Sequence, residues 1–195
     1  NLEESGGLFD LSIKFFTIQV TGLVTISSAN IIIAAILSPA AVVTYQTAYQ
    51  LFGVMLIFMT VASNPLVASY GNLFKQKNFS DILKIKKNME IYAFSIVSLG
   101  LIILFFAQNI FKLWLGSEFE YSFQLALVMF LYFSLTVLLL PTTTFITATS
   151  KVKLITIISL VNVVIFLPLA TFLVSIYGIV GIAVALLITS SYPIP

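Results

Sequence analysis

The sequence predicts an all-α polytopic membrane protein, and three observations support that prediction. Hydrophobic residues make up 60% of the 195 residues and charged residues only 8%, with a mean hydropathy of +1.13. No charged residue and no histidine occurs from Phe15 to Phe74. A water-soluble domain could not leave so long a run uncharged, because its outer faces must meet water. A bilayer instead favours such runs, since about 20 apolar residues cross its hydrocarbon and a buried charge is costly.

The uncharged run divides into two membrane spans at Ser38-Pro39. Proline lacks a backbone N–H and pushes the preceding residue out of helical geometry, so the spans are predicted near 15–37 and 40–70. Four more are predicted near 91–111, 122–148, 154–177 and 179–192. All six belong to a single membrane domain over residues 1–195. The last span holds about a dozen apolar residues, too few to cross a bilayer, and is expected to be cut short.

The lysines between the spans predict the topology. The segment from Lys75 to Glu90 is expected to be a hydrophilic loop with five lysines, in which Ser80 caps a short surface helix. Short Lys-rich loops stay in the cytoplasm, so this loop and the one at Lys151 are predicted to be internal. Alternation then places both chain ends in the cytoplasm and Glu118 outside. A basic platform for anionic headgroups or pyrophosphate is the alternative interpretation of the same lysines.

Polar residues in the first two spans align on one face of each helix. They are Gln19, Gly22 and Asn30 in the first span, and Gln46, Gln50, Gly53, Thr60 and Asn64 in the second. Amides that face lipid would lack hydrogen bonds, so both faces are expected to meet protein or water. Two interpretations stay open. The residues either hold packed helices together, with close approach at the two glycines, or line a hydrated substrate cavity.

The candidate residues for the substrate cavity are Gln19, Asn30, Gln46, Gln50, Thr60, Asn64 and Lys14. The amides and hydroxyls suit sugar hydroxyl groups. Lys14 lies at the internal end of the first span, where it is the best cation for a pyrophosphate or an ordinary interfacial anchor.

The absent residue types argue against enzyme chemistry. The chain has no cysteine and no histidine, which removes thiol chemistry, the commonest metal ligand and the commonest general base. The carboxylates of Asp81 and Glu118 are predicted on opposite sides of the membrane. An integral membrane enzyme needs such groups clustered, so no catalytic residue, cofactor or metal site is expected. No nucleic-acid partner is expected either.

The order of the segments resembles a transporter family. The resemblance is carried by SANIIIAAILSPAAVVTYQTAYQLF, NPLVASYGNLFKQKNFSDILKIKKNM, IFKLWLGSEF and ITATSKVKLITIISLVNVVIFLPLATFLVSIYGIVGIAVALL. From about Gly7 to Ile188 the chain resembles the C-terminal half of a Wzx-type flippase for lipid-linked oligosaccharides such as O-antigen precursors. These flippases belong to the superfamily that also contains the multidrug-and-toxin extruders.

The resemblance implies one lobe of a twelve-helix, two-lobed alternating-access transporter in the bacterial inner membrane. Its function would be to translocate a polyprenyl-diphosphate-linked oligosaccharide for surface polysaccharide biosynthesis. Its partners would be that substrate, membrane lipids and the N-terminal six-helix lobe, which is missing from this sequence. The alternative is a cation-coupled multidrug antiporter. Family members often carry Asp where this chain has Asn30, and no span here contains a carboxylate, so an ion-coupling group would have to lie in the other half.

Overall fold

Six α-helices follow one another with short connections. A computed structural model describes residues 2–116, 121–149 and 152–191, with the side chains of residue 9 and of residues from 11 onward. The helices are α1 (Leu2–Ile36), α2 (Pro39–Lys75), α3 (Phe79–Leu115), α4 (Phe123–Ala148), α5 (Val152–Tyr177) and α6 (Ile179–Ser190). Five are long and apolar enough to span a membrane, and α6 is a shorter apolar helix. The all-helical prediction is confirmed, and the helices fit a multi-pass membrane protein.

The break between the first two helices is where the sequence predicts it. Pro39 opens α2, and the Ser38 side chain caps it by accepting a hydrogen bond from the Ala41 N–H at 3.2 Å. Proline suits this position because the first N–H of a helix has no intrahelical partner. Ser122 caps α4 in the same way, through the Leu125 N–H at 3.3 Å.

The predicted loop from Lys75 to Glu90 is wrong. Only residues 76–78 connect α2 to α3, and the cap of α3 is Asn78 rather than Ser80. The Asn78 Oδ1 accepts from the Asp81 N–H at 3.3 Å, and its Nδ2 donates to Asp81 Oδ2 at 2.7 Å. Lysine is a good helix former, and charged residues at the end of a span do not stop its helix. The topology residues Glu118 and Lys151 lie outside the described residues, so the side on which each connection lies stays a prediction.

The buried side of α3 shows why the helix extends through the lysines. Ile82 and Met89 are buried at a helical spacing, and the same side continues into the membrane with Ala93 and Ile96. A single apolar face therefore runs through both the lysine-rich segment and the predicted span. The charged residues occupy the other faces of the same helix.

Five of the six helices surround the interior of the molecule, and α3 packs outside them. In space the order is α1, α5, α6, α4 and α2, and α2 also contacts α1. The α3 helix packs on α2 and α4. Aromatic side chains fill the contact between α2 and its neighbours: Phe52 is fully buried and lies edge-on to Phe130, with ring centroids 6.1 Å apart. This arrangement leaves α1 against α5, although α2 follows it in the sequence.

The glycines differ in how much space is available for a side chain at their positions. Gly181 of α6 is buried, and a Cβ there would collide with the Leu173 carbonyl and lie 2.8 Å from the Val174 nitrogen. A Cβ added at Gly53 would lie 3.5 Å from the Phe133 ring, in ordinary contact, and a Cβ at Gly22 would meet no atom within 4 Å. The close approach predicted at Gly22 is therefore wrong. The helix is separated from its neighbours there, because Gly22 faces an open cleft.

Candidate functional site

A polar cleft of about 500 Å³ lies among α1, α2, α4, α5 and α6. Its threonines are Thr21, Thr25, Thr136 and Thr189. The lining residues come from the middle of α1, α2 and α4, from the first half of α5 and from the end of α6. The cleft therefore lies at membrane depth, where polar groups are costly unless they meet protein or water.

The threonines present oxygen lone pairs to the cleft. Thr21 donates its hydroxyl proton to the Ile18 carbonyl at 2.8 Å, and Thr136 donates to the Tyr132 carbonyl at 2.8 Å. Thr25 and Thr189 likewise donate to carbonyls of their own helices. A hydroxyl has one proton and two lone pairs, so each of these groups remains an acceptor. The cleft is therefore rich in hydrogen-bond acceptors.

Asn162 adds an amide to the α5 side of the cleft. Its side chain is half-buried and forms no hydrogen bond with any residue of the described ranges. Ser159, one turn earlier on the same helix, also lines the cleft. An amide at membrane depth needs a partner, so water or a ligand must supply it. Asn162 can both donate and accept, which distinguishes it from the threonines.

Aromatic rings form the wall between α2 and α4. Tyr49 and Tyr132 line the cleft, and both rings pack edge-on against Phe133, with centroids 5.0 and 4.9 Å away. Tyr45 continues the stack towards the start of α2, 5.9 Å from Tyr49. These contacts hold the ring faces in place, so the cleft combines fixed aromatic surface with hydroxyl oxygens.

A second space lies on the other side of this wall. We call it the α2 groove: it measures about 670 Å³ and is bordered by α2, by Phe133 of α4 and by Trp114 near the end of α3. Tyr49 and Leu56 line both spaces. Val54, Ile57 and Val61 make the α2 groove predominantly apolar. The cleft has more polar lining residues than the α2 groove, whose polar residues include Gln50 and Thr60, and the two spaces share part of one wall.

Two of the seven predicted site residues bond directly to each other. The Gln46 Nε2 donates to the Asn30 Oδ1 at 2.6 Å, and both side chains are partly buried between α2 and α1. An interhelical amide bond of this kind is typical of packed membrane helices. For this pair the geometry favours helix association over a free cavity wall.

The other five predicted residues are dispersed. Gln50 and Thr60 border the α2 groove, and the Thr60 hydroxyl donates to the Leu56 carbonyl at 2.7 Å. Gln19 and Asn64 are exposed, Lys14 is half-buried near the start of α1, and none of the three borders the cleft or the groove. The role of all seven in substrate binding stays a prediction.

The sequence pattern does not predict the polar cleft. Its residues are spread over five helices with only one or two polar side chains facing inward on most of them, so no single helix carries a recognisable polar face. The best available signal was Asn162, which is the only amide in α5. An isolated amide in an apolar helix indicates that something polar lies opposite it.

Comparison with family models, with curated proteins and with solved structures gave no match. The described residues also contain no group of three His, Asp or Glu side chains that could hold a metal ion. The fold and the site therefore define a class: a multi-pass, all-helical membrane protein with an uncharged polar cleft among its helices.

Proposed function

We propose that this chain forms one six-helix lobe of an exporter that moves a polyprenyl-diphosphate-linked oligosaccharide across the bacterial inner membrane. The observation that supports this proposal is the uncharged cleft, which combines hydroxyl acceptors, the Asn162 amide and aromatic rings at membrane depth. The resemblance of the segment order to Wzx-type flippases supports it as well. No covalent bond changes in such a process, so the protein supplies only a path for the polar part of the substrate.

The chemistry of the cleft suits an uncharged sugar. Sugar hydroxyls donate hydrogen bonds to the threonine oxygens and exchange them with Asn162, while the apolar faces of the sugar rings rest on Tyr49 and Tyr132. No carboxylate occurs between Asp10 and Asp81 or after Glu120 in the sequence. A passing anionic diphosphate therefore meets no acidic residue from Phe15 to Phe74 or in α4, α5 and α6. The acidic residues of α1, which are Glu3, Glu4 and Asp10, all precede Phe15.

The α2 groove complements the cleft. Its aliphatic residues and Trp114 offer an apolar surface beside the sugar site, and Tyr49 joins the two spaces. A substrate with a glycan at one end and a polyprenyl chain at the other needs this pairing. In this proposal the glycan occupies the cleft and the first isoprene units contact the α2 groove.

The apolar character of the α2 groove also favours a second candidate function, export of lipophilic small molecules by a cation-coupled antiporter. In that case Trp114, Val54 and Ile57 would bind the compound directly. The cleft would then contribute nothing to affinity. The coupling cation would need a group other than a carboxylate of the predicted spans, since no predicted span contains one.

The single tryptophan of the chain allows a direct test. Because Trp114 borders the α2 groove and not the cleft, its fluorescence reports on a ligand in the groove alone. Purified protein in detergent is titrated with a short-chain polyprenyl diphosphate that carries an oligosaccharide, with the same lipid lacking the glycan, and with a lipophilic cation. Affinity is measured independently by calorimetry.

We expect the glycan-bearing lipid to bind most tightly and to change Trp114 fluorescence. Asn162→Leu removes the free amide and should weaken its binding about three- to tenfold, the effect of one or two lost hydrogen bonds. The same variant should leave the affinity for the glycan-free lipid unchanged. Equal affinity for the two lipids, with tighter binding of the lipophilic cation, would replace this proposal with the second candidate.

A further inference from the structure

A separate polar pocket lies at the corner where α2 ends and α3 begins. It measures about 570 Å³, and its polar lining residues are Ser69, Asn72, Asp81, Lys84 and Asn88. The uncharged stretch of α2 ends just before Lys75, and that of α3 begins after Glu90. The pocket therefore lies where two membrane spans end, which is the level of the lipid headgroups.

One lysine lines the pocket, and within the described residues its ammonium group is not paired with a carboxylate. Lys86 is paired with Glu90, with Nζ and Oε1 3.7 Å apart, and the Asp81 carboxylate accepts a hydrogen bond from Asn78. Lys84 forms no ion pair within the part of the chain that the structure describes, and it lines the pocket. Its charge is available to a ligand.

The surroundings of the pocket carry a net positive charge. Lys75, Lys77 and Lys87 lie on the same corner as Lys84, and Asp81 is the one carboxylate of the segment 75–90 that is not paired with a lysine. An excess of ammonium groups at headgroup level attracts anions. The Asp81 carboxylate in the same lining can only accept hydrogen bonds, so the ligand should carry a hydrogen-bond donor, such as a hydroxyl group, as well as the phosphate.

We propose that this pocket binds the headgroup of an anionic phospholipid, with phosphatidylglycerol as the best fit. The phosphate pairs with the Lys84 ammonium. The glycerol hydroxyls donate to the Asp81 carboxylate and exchange hydrogen bonds with Asn72 and Asn88. Leu73 and Ile85 supply the apolar part of the lining.

A matched pair of variants separates this pocket from diffuse attraction of lysines to a charged membrane. Lys84→Gln and Lys87→Gln remove the same charge from the same helix, but only Lys84 lines the pocket. Both side chains are exposed, so both variants should fold normally. Asn88→Ala is a third variant that alters the pocket without changing the net charge.

The full chain is purified in detergent, and lipid binding is measured by native mass spectrometry and by thermal stabilisation. The probes are phosphatidylglycerol, phosphatidylethanolamine, phosphatidylcholine, a glycan-free polyprenyl diphosphate and inorganic phosphate. We expect preferential binding of phosphatidylglycerol. Lys84→Gln should weaken it about tenfold, and Asn88→Ala should also weaken it. Lys87→Gln should change it by less than about twofold, as expected for an exposed charge outside the pocket.

Four results would overturn the proposal. Equal losses in the two lysine variants would mean that only net charge matters. Equal binding of phosphatidylethanolamine would remove the selectivity for an anionic headgroup. Displacement of phosphatidylglycerol by millimolar inorganic phosphate would identify a site for the free anion. Tighter binding of the polyprenyl diphosphate would assign the pocket to the transported lipid.

Discussion

The hairpins α1–α2 and α5–α6 both join helices that are neighbours in sequence, but the two helices contact each other differently in each hairpin. In α5–α6 the chain turns at Gly178, and the backbone of Gly181 packs directly against the Leu173 carbonyl. In α1–α2 the helices meet near the turn through the Asn30–Gln46 hydrogen bond, and farther from it Gly22 has no neighbour within 4 Å in the direction of a Cβ. One hairpin is a tight backbone contact, and the other is held at one end and open beyond it.

The difference assigns separate tasks to the two hairpins. The α5–α6 pair is in backbone contact beside its turn, and the same two helices carry Asn162 and Thr189 on one side of the cleft. The α1–α2 pair leaves a space whose walls carry side chains from five helices. The closest backbone approach lies in the α5–α6 hairpin, and the cleft opens beside Gly22 of the α1–α2 hairpin.

The largest effect on stability is expected from a methyl group added to the α5–α6 hairpin. Gly181→Ala places a Cβ against the Leu173 backbone, which cannot move aside as a flexible side chain could. We expect a loss of about 1–3 kcal/mol of stability, as for other overpacked cores. Thermal unfolding in detergent measures the effect. The matched control is Gly22→Ala, which should leave the melting temperature unchanged or higher, and equal destabilisation by both variants would contradict the comparison.

A larger side chain in the open hairpin should affect binding instead of stability. Gly22→Leu projects four carbons into the cleft, where even a Cβ at this position would meet no neighbouring atom within 4 Å. We expect glycan-lipid affinity to fall about tenfold or more, since loss of the contacts of Asn162 alone accounts for a smaller factor. The melting temperature should stay within the range of the parent protein. A variant that binds normally would show that the ligand does not occupy the cleft.

The Asn30–Gln46 hydrogen bond near the turn of the α1–α2 hairpin should contribute less to stability than the Gly181 contact does. Asn30→Leu and Gln46→Leu each remove one partner, and a double-mutant cycle isolates their coupling. We expect a coupling of about 0.6 kcal/mol, with an upper value of about 1.7 kcal/mol, as for other hydrogen bonds between membrane helices. Unfolding free energies of the four proteins give the result. Additive effects would mean that the two amides act independently.

The smallest effect is expected on the exposed side of α2. Gln50 borders the α2 groove and is exposed, so Gln50→Leu should change stability by less than about 0.5 kcal/mol. The same change makes the groove more apolar, so it should strengthen binding of the glycan-free lipid slightly. Trp114 fluorescence measures that affinity. Weaker binding would show that the Gln50 amide contacts the lipid diphosphate.

The sequence predicts the number and order of the six helices, and it predicts a boundary well where a single residue causes it. Pro39 and Gly178 mark helix starts through backbone geometry that depends on a single residue. The lysines and acidic residues predict a loop before residue 91, but α3 begins at Phe79, because Ile82 and Met89 carry its apolar face through the lysines. Charge shows where a membrane ends, and it does not show where a helix ends.

The cleft could not be predicted in the same way. The pairing of α1 with α5 brings Thr21 and Asn162 to the same space, although they are about 140 residues apart. The alignment of polar residues on α2 correctly identified Gln50 and Thr60 as sharing one face, and that face borders the groove. Periodicity shows which residues share a face, but the neighbour of that face is decided by tertiary packing.

The peripheral position of α3 has a practical consequence. The side chains of Phe105 and Leu113 are 84% and 91% exposed, so no other helix within the described residues covers this part of α3. A spectroscopic label attached there through an introduced cysteine would be the only thiol in the chain. Such a label would record depth and lipid mobility without disturbing the five helices around the cleft. Because no α3 residue lines the cleft, a label on α3 can follow the protein in the membrane while leaving the cleft unchanged.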